Sequence, residues 1–107
     1  MKNVYRQGDV CLILIDKIPK DAIAEVINGN DVVLAYGEVT GHRHRFEFRD
    51  TSHDVKLYAG GGNRYLHVTA PCALLHEEHS TAIIQPGSYL LPAQVEYSPA
   101  ELVRVVD

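Results

Sequence analysis

The chain has 107 residues, enough for one ordinary domain and too few for two. Its hydrophobic fraction of 46% suffices for a single core and argues against disorder. The formal net charge of −4 argues weakly against a general nucleic-acid binder of the usual basic kind, while leaving room for a short RNA contact through a local basic stripe.

Met1–Arg6 holds no apolar segment, and no run approaches the roughly 18 apolar residues of a membrane span, so the expected location is the cytoplasm, with no membrane partner. Frequent Gly and Pro between short apolar runs predict a mostly β domain over 1–107, a small barrel or sandwich with at most one or two short helical turns.

Asp9–Asp16 reads as the first strand, and its unbroken apolar run predicts burial on both faces. Cys11 inside it reads as a small hydrophobe. Asp21–Ile27 fits a short helix or a strand equally, Asn28-Gly29-Asn30-Asp31 is a turn, and Val32–Tyr36 is a strand closed by Gly37. Arg45–Arg49 alternates, with Phe46 and Phe48 on one face and Arg45, Glu47 and Arg49 on the other. Val55–Ala59 and Arg64–Ala70 flank Gly60-Gly61-Gly62-Asn63 as a hairpin. Cys72–Leu75 and Thr81–Gln85 are short strands around His76-Glu77-Glu78-His79, and Ser88–Tyr97 is a long strand bent at Pro92. Ser98-Pro99-Ala100-Glu101 carries a capping serine and a first-turn proline, and Leu102–Val106 continues as helix or ends as a strand.

Chemistry concentrates in the six histidines. Side chains two apart on a strand share a face, so His42 and His44 point inward with Phe46 and Phe48. Two imidazoles at alternate strand positions can hold one ion, and neutral imidazole suits zinc, iron or nickel. His76 and His79, three apart, converge only on a turn. The expected centre is a divalent transition metal on His42, His44, His76 and His79, with Glu77 or Glu78 as catalytic base for metal-dependent hydrolysis. The plain alternative makes these exposed loop histidines with no joint role. Cys72, four residues before His76, is a weaker ligand candidate, and no Cys-x-x-Cys pair suggests a zinc ribbon. His53 reads as a surface residue, and His67 as surface or groove-lining beside Tyr65.

Two further readings belong to other classes. Histidines can cleave a phosphodiester without metal, with Arg43, Arg45 and Arg64 against phosphate and Tyr65 or Tyr97 stacked on a base. Alternatively the histidine surface contacts a protein or RNA partner as an accessory module. Exposed sheet edges also predict a homodimer, and a small-molecule ligand remains open.

Arg6-Gln7-Gly8-Asp9-Val10, then Gly37-Glu38-Val39-Thr40-Gly41-His42-Arg43-His44, His76-Glu77-Glu78-His79 and Glu96-Tyr97-Ser98-Pro99 together resemble a family of small uncharacterised bacterial and phage-encoded proteins. The resemblance spans most of the chain and implies that the two histidine segments form one design. His42-Arg43-His44 before a strand, with Pro86-Gly87 later, is also similar in part to the cupins. A cupin's first motif puts a glutamate near the place of Glu47, whereas its second-motif histidine has no counterpart in Ser88–Tyr97.

Overall fold

The computed structural model describes residues 3–27, 29–36, 41–48, 53–92, 95–97 and 102–104, the last two stretches by backbone alone. The described residues form twelve strands: β1 Val4–Gln7, β2 Val10–Ile15, β3 Ile23–Ala24, β4 Asp31–Tyr36, β5 Arg43–Glu47, β6 Val55–Gly60, β7 Asn63–Val68, β8 Cys72–Leu74, β9 Ala82–Ile84, β10 Gly87–Leu91, β11 Val95–Tyr97 and β12 Leu102–Arg104. No helix occurs among the described residues, and none there is long and apolar enough to cross a membrane.

Two tight hairpins follow from glycine. Gln7 pairs with Val10 across Gly8-Asp9, and Gly8 takes φ 57°, the positive angle required of the first central residue of a type II′ turn. Gly60 pairs with Asn63 across Gly61 and Gly62, both at positive φ, so this hairpin needs glycine at both central positions.

The main sheet has six strands in the order β1-β2-β10-β7-β6-β3. Facing it, β4 pairs with β5 and β8 with β9, and one antiparallel bridge, Arg45 to Leu75, joins the two pairs. The sheets do not close into a barrel; the architecture is sandwich-like. Val10, Leu12, Val55, Leu57, Leu66, Val68 and Tyr89 of the main sheet share one core with Val32, Leu34, Phe46, Leu74 and Ile84 of the opposing strands. At roughly 1.5–3 kcal/mol per buried large apolar side chain, this layer is the principal stabilising term.

Several strand expectations need correction. β1 is additional: Tyr5 and Gln7 alternate inward with exposed Val4 and Arg6, a pattern that begins before the first long apolar run. β2 buries Val10 and Leu12 fully, but Cys11 and Ile13–Ile15 only in part, so it is not covered completely on both faces. Asp21–Ile27 contributes only the two-residue β3. The expected long strand Ser88–Tyr97 is two strands, β10 and β11, with Pro92 between them. Leu102–Arg104 is extended rather than helical, while the turn at Ser98–Glu101, Gly37–Thr40 and Arg49–Ser52 lie outside the described residues.

Candidate metal centre

Strand register builds the site. Arg45 and Leu75 exchange both backbone hydrogen bonds, at 3.0 and 2.8 Å. In an antiparallel pair the preceding residue of one strand faces the following residue of the other. His44 therefore lies across from His76, Arg43 across from Glu77, and His42 across from Glu78. Each pairing has its contact. The His44 and His76 rings stand 4.3 Å apart, the Arg43 N–H donates to Glu77 Oε1 at 2.8 Å, and His42 Nδ1 lies 3.7 Å from Glu78 Oε1.

Beyond the bridge the chain bends at residues 77–79, which returns His79 to the same face. Its ring lies 4.5 Å from that of His76 and 5.7 Å from that of His44, nearly parallel to the latter. Ligand atoms of His44, His76 and His79 all lie within 4.8 Å of one another. A tetrahedral ion with bonds of ~2.05 Å holds nitrogen ligands about 3.3 Å apart, so the trio stands about 1.5 Å from closure at its widest. His42 is outside this trio, with its ring 5.7 Å from His76 and at a right angle to it.

Hydrogen bonding sets the tautomer of two of the rings, His44 and His76. Gln7, buried at the end of β1, turns its amide toward the carbonyls of Leu74 at 2.8 Å and Ser80 at 2.9 Å. Carbonyls only accept, so the atom facing them is the NH₂ group, and Oε1 faces His44 Nδ1 at 2.8 Å. An amide oxygen also only accepts, so His44 Nδ1 carries the proton. The lone pair of the neutral ring then sits on Nε2, a donor nitrogen held on a fully buried ring.

His76 has the opposite arrangement. Its Nδ1 accepts from the Glu78 N–H at 3.1 Å, so in the neutral ring the proton is on Nε2. That Nε2 is buried and has no hydrogen-bond partner among the described residues. A buried donor left this way costs about 1–3 kcal/mol. Moving the proton to Nδ1 gives up only an exposed 3.1 Å bond and frees the Nε2 lone pair to meet a cation. The residues therefore fit a metal ion: a hydrogen-bonded first ligand, and a second with a buried polar atom that a cation would satisfy.

The two glutamates differ. Glu77 Oε1 accepts from the Arg43 N–H, and Oε2 pairs with Arg45 Nη1 at 2.9 Å. The Arg43 bond first, then the bond from its own N–H, Arg45 and His42, hold its carboxyl below the ordinary value, against some desolvation. A carboxylate so engaged is a poor base and a good latch between the bend and β5. Glu78 is largely exposed, and among the described residues its carboxylate meets only the 3.7 Å approach of His42.

The remaining candidates are engaged elsewhere. The Cys72 thiol donates to the Ala70 carbonyl at 3.0 Å, and burial, with Asp54 adding to it, pushes its pKa up, away from the thiolate that metal binding needs. His53 bonds the Gly29 carbonyl and His67 the Ser88 hydroxyl, and neither is in the trio. The guanidiniums of Arg43, Arg45 and Arg64 each meet carboxylates, on Asp31, on Glu47 and Glu77, and on Glu25 respectively. A groove of about 470 Å³ starts at Ser80, one residue past His79, and runs between β1 and β9 along Tyr5, Arg6, Thr81, Ile83 and Gln85.

Gln7 has no place among the residues expected from sequence. The signal for it is a polar residue at an inward position of an alternating strand, visible only once β1 is recognised.

A family model described as a domain of unknown function matches residues 6–94, which includes Gln7 and all four histidines around the centre. No curated protein and no solved structure matches the chain.

Proposed function

The chain belongs to this family, DUF8820, and we propose that it is a small metal-binding β domain whose centre is His44, His76 and His79. The ion is a divalent transition metal, zinc, iron or nickel, because neutral imidazoles suit these and no carboxylate among the described residues joins the trio. The observation that carries the reading is three convergent histidines, one with its lone pair on Nε2 and one burying an Nε2 that no described residue satisfies.

Three protein ligands leave a coordination position for water or substrate, the pattern of catalytic rather than structural sites. When bound, such an ion supplies a Lewis acid and makes a coordinated water more acidic. Hydrolysis is the reaction class this favours. Of the expected bases, Glu78 takes the role, because both Glu77 oxygens are engaged. His42 stands beside the trio and forms an acid–base pair with Glu78 at the more exposed side of the site. A small-molecule ligand has room in the groove that begins at Ser80.

Zinc titration and elemental analysis of protein made without a histidine tag test this. Binding of about one equivalent is expected, lost in His44→Ala, His76→Ala and His79→Ala and kept in His53→Ala and His67→Ala. Less than about a tenth of an equivalent, with no uptake of added zinc, nickel or iron, contradicts it.

A further inference from the structure

We infer that Gln7 is a positioning residue of the histidine centre: it sets the tautomer of His44 and pins both ends of the segment that carries His76 and His79. Its weight for function rests on the metal reading above; its effect on the tautomer does not.

A buried amide is costly unless its hydrogen bonds are made. Gln7 is 4% exposed at the last position of β1, where an apolar side chain of the same length would fill the space without a polar group to satisfy. Two of its bonds have a structural purpose. Leu74 closes β8 just before the bridge residue Leu75, and Ser80 follows the bend, so the NH₂ group ties together the two flanks of residues 75–79. The third bond, from His44 Nδ1–H to Oε1, does nothing for that tie.

Its consequence is chemical. Histidine in water carries its proton mainly on Nε2, the nitrogen that would have to bind an ion here. Oε1 can only accept, so it reverses that preference and puts the lone pair on Nε2. Such outer hydrogen bonds to ligating histidines fix ring and tautomer, and their loss typically lowers metal affinity 10–100-fold. The same side chain thus prepares His44 and restrains the loop of the other two ligands. His44 is preset, and the final closure falls to His76 and His79 on the bend.

The test compares wild type, Gln7→Met and Gln7→Glu. Met keeps the length and removes both functions; Glu keeps an acceptor for His44 Nδ1–H and gives up the paired amide donors. Long-range 1H–15N spectra of the metal-free proteins report the tautomer, and competition titration reports zinc affinity. The expected result is His44 in the Nδ1–H form in wild type and Gln7→Glu, with a shift toward Nε2–H in Gln7→Met. Zinc affinity in Gln7→Met should fall 10–100-fold. A folded Gln7→Met that keeps the Nδ1–H form, or binds zinc within about threefold of wild type, overturns the inference. If Gln7→Met does not fold, the wild-type and Gln7→Glu spectra decide, and a wild-type His44 in the Nε2–H form overturns it. Wild type that binds no zinc removes the metal reading, while the tautomer comparison still stands or falls separately.

Discussion

Replacing His76 with leucine should make the metal-free protein more stable while removing its metal site. His76 Nε2 is buried with no hydrogen-bond partner among the described residues, and in the neutral ring it carries the proton because Nδ1 accepts from the Glu78 N–H. The orphaned donor costs about 1–3 kcal/mol, and leucine, of similar size, abolishes that cost. The lost Glu78 bond is exposed and 3.1 Å long, and water replaces it, so about 0.5 kcal/mol is forfeited. The net expectation is a gain of about 1 kcal/mol, seen as a rise of roughly 4–8 °C in melting temperature in the presence of a chelator. With zinc at a hundred times its dissociation constant, wild type gains about 2.7 kcal/mol and the variant nothing, so the order of stability inverts. Thermal unfolding of both proteins in chelator and in zinc reads all four states. A variant destabilised by more than about 1 kcal/mol in chelator would show that Nε2 is already satisfied. A variant with the full zinc shift would show that His76 is not a ligand.

Three further outcomes follow from other contacts. Glu77→Ala should lower zinc affinity with little change in melting temperature, because the residue latches the bend to Arg43 and Arg45 but is itself a surface group; unchanged affinity would remove the latch from the account. Tyr89 donates to the Gln85 carbonyl at 2.6 Å, and burial, with Tyr5 beside it, pushes its pKa up to about 12. The folded state therefore holds that proton more tightly than the unfolded chain. Its contribution is fully present below about pH 10 and lost as pH rises toward about 12, so stability should fall over that window in wild type and less steeply in Tyr89→Phe. Identical slopes would contradict it. Cys72, buried and with its thiol pKa raised, should react with thiol reagents only as fast as the protein opens; rapid labelling in native buffer would mean the burial is wrong.

Much of the fold was legible because local chemistry dictated it. Gly60-Gly61-Gly62-Asn63 could only be a tight turn, and Gly61 and Gly62 take positive φ there. Phe46 marked the buried face of β5, and His44 shares its phase, which is why the inward reading of that histidine could be made from spacing alone. The spacing of His76 and His79 required a bend if both were to converge, and a bend is present. The rest depended on long-range pairing. Nothing local says that Arg45 bridges to Leu75 thirty positions away, yet that register alone puts His44 across from His76. The roles of Glu77 and Glu78 divide for the same reason: neighbours in sequence, they fall against Arg43 and His42, and one becomes a latch while the other stays exposed. Gln7 was the least legible. A lone glutamine carries no local signal of burial, and the carbonyls of Leu74 and Ser80 with His44 Nδ1 give it a reason to be buried.

The central claim is that His44, His76 and His79 share one metal ion. A crystal structure of the tag-free protein grown with zinc, with anomalous data at the zinc edge, tests it most directly. One strong peak is expected about 2.0–2.1 Å from His44 Nε2 and from a nitrogen of both His76 and His79, with His44 Nδ1 still donating to Gln7 Oε1. A site without a peak, or zinc bound only at His53 or His67, would contradict it.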